Sequence, residues 1–271
     1  MSSVKTKIKE IGPGCFNLRG PFKALGLIEL GTHMTFILLS SGKFVAFSTV
    51  QIDAAAKVEI DALTDNGKLL EAVVATNAHH TLSFSAFHAL YPNAAFYGTP
   101  RHIRKFNDIP WKGDVSDTAV SGLWEPEISL KNTDTGIIWD EPSKPEFNHF
   151  PGVIVYHRGS KTLFCDDSLI VVTKPNFVLK AALGVKKPND VAFAPTLFTA
   201  LTSTADAPQQ FYNWIIALLD DWDVENIATA HGGTIVGGGS AGLREALDRI
   251  ADGKLGKIAK DRKNPLILTK K

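Results

Sequence analysis

Leu70-Glu71-Ala72-Val73-Val74-Ala75-Thr76, followed at once by Asn77-Ala78-His79-His80, is the stretch from which the fold is read. Its apolar run reads as a buried strand, and two histidines stand just beyond its end. Two other places repeat the arrangement. Residues 150–156 and 162–165 are strand-like, with His149 before them and Asp166-Asp167 after them. Asn226-Ile227-Ala228-Thr229-Ala230 runs into His231-Gly232-Gly233. Parallel and mixed sheets carry their working residues just past strand ends. Imidazole and carboxylate gathered there are the donors of a metal site.

Working outward, residues 24–30, 33–39 and 43–50 read as strands, punctuated by Gly31 and by Ser40-Ser41-Gly42. A helix is expected over 54–63, capped by Asp53 and stopped near Asn66-Gly67, then a short helix over 82–90 and a strand over 94–98. This alternation signals an α/β fold. Residues 107–148, rich in Asp, Pro and Gly and carrying Trp111, Trp124 and Trp139, are expected to form a wall or lid. Further helices are expected over 174–182, over 206–220 (capped by Asp206, with Pro208 in the first turn) and over 241–251 (capped by Ser240). Nothing reads as a linker, so one domain spanning 1–271 is expected.

Composition excludes several classes. The 271 residues carry a formal net charge of +1, which argues against a nucleic-acid or anionic-membrane surface. Residues 254–271 are the one basic stretch and read as a solvated end. Cys15 and Cys165 are too isolated for a disulfide framework, and a reducing cytoplasm is expected. The first residues lack the apolar core of a signal peptide, and no run is long enough to span a bilayer. A small-molecule substrate is the expected partner; the sequence does not give an oligomeric state.

The second stretch carries a geometric argument. A hairpin turned at Arg158-Gly159-Ser160 sets His157 opposite Lys161 and Asp167 opposite Pro151, two residues from His149. His149 and Asp167 then meet at one end of the sheet. His157 lies at the other, about 26 Å away at roughly 3.3 Å per residue.

Taken together, these motifs resemble those of the metallo-β-lactamase superfamily, whose first motif reads T-H-x-H-x-D-H. Here it appears as Thr76-Asn77-Ala78-His79-His80-Thr81-Leu82. A later H-x-P-G-like turn is His149-Phe150-Pro151-Gly152, the L-F-x-G-D strand end is Leu163-Phe164-Cys165-Asp166-Asp167, and the final H-G is His231-Gly232. The resemblance covers roughly residues 25–240. It implies a four-layer αββα sandwich with its site at one sheet edge. Asn77, Thr81 and Leu82 depart from the first motif, and Ser48 takes the place of an aspartate that often ends an earlier strand. In this the chain is similar to a branch of the superfamily known only as a domain of unknown function.

The matched positions imply His79, His149, Asp167 and His231 as metal ligands, with His80 as a substitute and Asn77 and Asp166 as neighbours or replacements. Leu82 cannot ligate, so one divalent ion is expected rather than two: Zn²⁺ first, iron or manganese otherwise. Such an ion supports hydrolysis of a small ester, lactone, amide or phosphoester, with Asp167 or Asp166 orienting the water. A fold relative that has lost its metal and serves as a binding or scaffold protein is the alternative; iron chemistry without hydrolysis is a third. His33, His88 and His102 have weaker claims, and the 101–104 cluster reads as a solvated loop. Gly238-Gly239-Ser240-Ala241-Gly242 fits a serine nucleophile elbow, but no histidine follows His231 to complete that order of residues.

Overall fold

The structure is a computed structural model that describes residues 7–24, 28–140, 149–175 and 177–269. The first half contains β1 (Ile8–Gly12), β2 (Cys15–Gly20), β3 (Lys23–Ala24), β4 (Ile28–Glu29), β5 (Thr32–Leu38), β6 (Phe44–Phe47), α1 (Ala54–Thr64), β7 (Leu70–Val74), α2 (Phe84–Leu90), β8 (Ala95–Gly98), α3 (Pro100–Lys105), β9 (Gly113–Asp114) and α4 (Thr118–Ser121). The second half contains β10 (Ile128–Asn132), β11 (Val153–His157), β12 (Thr162–Cys165), β13 (Leu169–Val172), α5 (Phe177–Leu183), β14 (Asp190–Phe193), α6 (Leu197–Ala200), α7 (Ala207–Asp221), β15 (Asn226–Thr229), β16 (Thr234–Ile235), α8 (Gly239–Asp252) and α9 (Lys254–Asp261). One sheet runs β1-β2-β5-β6-β7-β8-β9 and the other β10-β11-β12-β15-β16.

Strand periodicity explains why the sheets stack between helices. Along β6, Val45 and Phe47 face the second sheet while Phe44 and Ala46 face α1 and α2. Along β11, Val153 and Val155 meet the first sheet, while Ile154 and Tyr156 pack under α7 and α8. Both faces of each central strand are thus buried, giving the four layers αββα. Phe47 and Phe164 meet edge to face across the middle, with centroids 5.0 Å apart. Burying each such ring contributes about 1.5–3 kcal/mol.

The pairing aims the motifs at one edge. β6, β7 and β8 are mutually parallel, and β12 is parallel to β15. Their C-terminal ends deliver Ser48, Thr76, Asp166-Asp167 and the residues after Thr229 to the same side. β11 is antiparallel to β12, so the segment before it starts there too.

Several expectations are corrected. The hairpin pairs His157 with Thr162, one residue off the expected register, because Lys161 joins the turn in a left-handed conformation (φ 50°). Residues 24–30 form two short paired pieces instead of one strand, with 25–27 outside the described residues. Of the wall or lid expected over 107–148, the described part is the wall: Val115, Val120, Trp124 and Ile128 are core, and β10 joins the second sheet. Residues 141–148 of that expectation lie outside the described set. Ser240 does not cap α8; its hydroxyl accepts from the Val224 N–H. The basic end contains α9, with Leu255 and Ala259 buried. Among the described residues, no helix is long and apolar enough to cross a membrane.

Candidate metal centre

The loop after β7 is wound by Asn77. Its Oδ1 accepts from the His79 N–H at 2.8 Å, the turn that asparagine favours. Its Nδ2 donates to the carbonyls of His149 (3.0 Å) and Pro151 (3.2 Å), tying the first motif to the second. Asn77 is fully buried and its amide is committed to backbone. It shapes the loop from below and does not face the other candidates. Gly152 is needed beside it, since a Cβ there would lie 2.8 Å from the Thr76 carbonyl.

This winding sends the two histidines different ways. His80 turns inward: its Nε2 lies 2.9 Å from Asp167 Oδ1 and its Nδ1 lies 3.3 Å from Asp166 Oδ1. His102, expected in a solvated loop, is completely buried, and its Nε2 reaches the His80 carbonyl at 3.2 Å. His79 turns to the rim and packs against the His149 ring, with centroids 4.0 Å apart. His149 Nδ1 lies 3.6 Å from Asp167 Oδ2.

His231 arrives from β15. Arg19 holds the strand end by donating to the Thr229 and Ala230 carbonyls. Gly232 follows in a left-handed conformation (φ +94°), where a Cβ would sit 2.0 Å from the Val171 carbonyl. The His231 Nδ1 bonds the Gly31 carbonyl at 2.8 Å, which leaves Nε2 facing Asp167 Oδ1 at 3.0 Å. Phe22 stacks on the same ring, with centroids 5.7 Å apart.

Among the described residues, the donor atoms that gather within 4.8 Å of one another belong to His80, Asp167 and His231. The chemistry of the set fits a divalent cation. At metal–ligand distances of about 2.0–2.1 Å, neighbouring ligands of a tetrahedral ion stand roughly 3.3 Å apart. The 2.9 and 3.0 Å contacts are close to such an edge. Each histidine also has its other ring nitrogen against a carboxylate or carbonyl, as ligating histidines do.

Electrostatics agree. Burial opposes ionisation of Asp167, yet His80 and the contacts from His149 and His231 hold its pKa well below the usual carboxylate range. Burial likewise opposes a charged His80, but Asp166 and Asp167 hold its pKa well above that of an ordinary histidine. His79 goes the other way: burial, then His149 and Arg101, push it down to about 4. Asp166 lies beneath the cluster, only 2% exposed. Its Oδ2 accepts from Ser48 Oγ (2.6 Å) and Thr76 Oγ1 (2.5 Å). It faces side chains, not open space, so it is not placed to take a proton from a substrate or its water. A cavity of about 210 Å³ opens over His79, His80 and His231, walled by Phe22, Val50 and Leu82.

His33, Ser48, Thr76 and His102 are the parts of this site that sequence reasoning weighted least. Ser48 carried a signal through the aspartate it replaces and Thr76 through the threonine that opens the first motif, while His33 and His102 had only weaker claims.

No protein-family model and no curated protein sequence matches the chain. Solved structures do. A DIM-1 metallo-β-lactamase exposed to ceftazidime aligns at TM-score 0.58 and 14% identity, covering 92% of this chain and 100% of that one. A metallo-β-lactamase from Erythrobacter litoralis aligns at 0.55 and 14%, covering 96% and 95%. One from Pontibacter korlensis aligns at 0.56 and 11%, covering 90% and 97%. At these identities the likeness speaks for architecture alone. The chain has the metallo-β-lactamase fold.

Proposed function

We propose that this protein is a metal-dependent hydrolase of a small ester, lactone, amide or phosphoester, built on one divalent ion, Zn²⁺ foremost. His80, His231 and Asp167 hold the ion, with His149 beside them; iron or manganese suits the same donors. The observation that carries this reading is the convergence of three donor atoms, each histidine braced at its other nitrogen. When bound, such an ion lowers the pKa of its water to about 7 and polarises a carbonyl or phosphoryl oxygen.

The chain's own groups do the rest. Asp167, kept ionised, supplies negative charge at the site and holds three imidazoles toward one point. His79, neutral at physiological pH, offers a hydrogen bond at the rim and does not serve there as an acid. Phe22, Val50 and Leu82 exclude water from one side of the cavity, which suits a small, partly apolar substrate. The two cysteines are free and buried, in keeping with the reducing cytoplasm proposed as its compartment.

The test is a panel of small esters, lactones, amides and phosphoesters offered to the Zn²⁺-loaded protein. Hydrolysis of at least one class is expected, abolished by chelator, restored by Zn²⁺ and lost in His231→Ala. A loaded protein inert toward all four classes would overturn the hydrolase reading and leave a binding protein.

A further inference from the structure

We infer that Asp166 is a positioning residue that makes His80 a metal ligand, replacing from another strand what the altered first motif no longer supplies. The inference rests on the metal reading of His80, Asp167 and His231. Three residues of the first motif that the superfamily uses as ligands are Asn77, Thr81 and Leu82 here. The inward histidine is instead His80, at a position the motif leaves unspecified. Something must select its ring orientation and the nitrogen that carries its proton.

Asp166 is built for that. It occupies the glycine position of the L-F-x-G-D pattern, so it is an added group, not a retained one. Its Oδ2 is fixed by two hydroxyls, Ser48 and Thr76, themselves 2.6 Å apart. Ser48 adopts a left-handed conformation (φ 58°), which costs a non-glycine residue on the order of 1 kcal/mol. Such a conformation persists where the surroundings hold it, and here it delivers the hydroxyl to Asp166. Oδ1 is buried without a well-aligned hydrogen bond and has two imidazole nitrogens close by: His80 Nδ1 at 3.3 Å and His33 Nε2 at 3.4 Å.

His33 is itself set from behind. Asn17 Nδ2 lies 3.2 Å from its Nδ1 and donates to it, which places the His33 proton on Nε2, facing Asp166. One carboxylate oxygen therefore faces the His33 Nε2–H on one side and His80 Nδ1 on the other, close enough to favour a proton on each. With Nδ1 kept protonated by Asp166, His80 would offer an ion its Nε2, the atom 2.9 Å from Asp167, once the proton there is displaced. A carboxylate behind a ligating histidine fixes tautomer and ring orientation and raises ligand basicity.

The test is Zn²⁺ affinity, measured by competition with a chromophoric chelator, in wild type, Asp166→Asn, His80→Ala and the double variant. Asparagine keeps the size and can still accept from Ser48 and Thr76, but it turns an N–H toward His80 Nδ1 and favours the wrong tautomer. A 10–100-fold loss of affinity is expected in Asp166→Asn. In the His80→Ala background the same change should cost less than about twofold, because its route through His80 is gone. Equal losses in both backgrounds, or no loss in the first, would overturn the inference and leave the metal reading intact. A wild type that binds no Zn²⁺ would overturn both. Should Asp166→Asn fail to fold, ring ¹⁵N shifts of His80 in the Zn²⁺-loaded wild type decide: a protonated Nδ1 with a metal-bound Nε2 supports the inference, and the reverse overturns it.

Discussion

His80 follows a strand of one sheet and His157 ends a strand of the other, and both rings are largely buried, yet their surroundings are opposite. At His157 the neighbours are hydroxyls. Nδ1 contacts Ser160 Oγ at 2.8 Å, and Ser160 Oγ bonds Thr162 Oγ1 at 2.8 Å. Burial lowers the His157 pKa, and the ring is a neutral packing element. At His80 the neighbours are two carboxylates, which outweigh burial and favour a charge on the ring. A histidine near a strand end is therefore no mark of a site by itself. Carboxylates around it are what make a cation the natural occupant.

The largest expected effect separates the two ends outright. Asp167→Ala should take bound Zn²⁺ from about one ion per chain to near zero, because the carboxylate common to all three imidazoles is gone. His157→Ala should leave metal content unchanged while lowering unfolding free energy by about 1–3 kcal/mol, the cost of removing the ring partner of the buried Ser160 hydroxyl. Elemental analysis with urea denaturation reads both. Metal loss in His157→Ala would break the contrast.

The next effect is one of sign. In metal-free protein the His80 pKa is raised on folding, so its stabilisation is fully present below about pH 6.5 and is lost as pH rises through the folded value. Asp166 and Asp167 are depressed, so theirs is present above about pH 4 and lost as pH falls toward their folded values. His157 is also depressed, so its share is present above about pH 6.5 and falls as the solution is acidified. Denaturation across pH should therefore show His80→Gln removing an alkaline loss of stability and His157→Gln removing an acid one. Matching profiles for the two variants would contradict the assignment. For the same reason Zn²⁺ affinity should rise with pH, since the ion displaces the second proton of His80.

The smallest effect compares hydroxyls. Ser48→Ala removes a hydrogen bond to a buried carboxylate and should cost about 1.5–3 kcal/mol. Ser160→Ala removes bonds among neutral groups and should cost about 0.5–1.5 kcal/mol. Equal costs in denaturation would remove the distinction between the two ends.

Much of the fold was legible because strand periodicity and strand-end chemistry are local. The runs ending at Thr76, Cys165 and Ala230 are strands; pairing joins the ends of the last two, and the stacking of the two sheets brings the first to them. The one-residue slip in the hairpin did not matter, because Asp167 and His149 meet just beyond the paired residues. The choice between His79 and His80 was not legible. Adjacent residues in a tight turn point apart, and the direction is set by Asn77 and by His102, which lies on α3. The partnership of His33 and Ser48 with Asp166 was hidden for a similar reason: these contacts cross from one sheet to the other, and only the assembled layers bring them together. The charged strand β1 and the amphipathic α9 bury too little of their length to stand out as apolar runs.

The most direct measurement is anomalous diffraction at the zinc edge from crystals grown with Zn²⁺. The account predicts one peak per chain within bonding distance of His80 Nε2, His231 Nε2 and a carboxylate oxygen of Asp167, with His79 outside. No peak at that edge of the sheets, or one bound by His79 while His80 stays paired with Asp166 and Asp167, would contradict it.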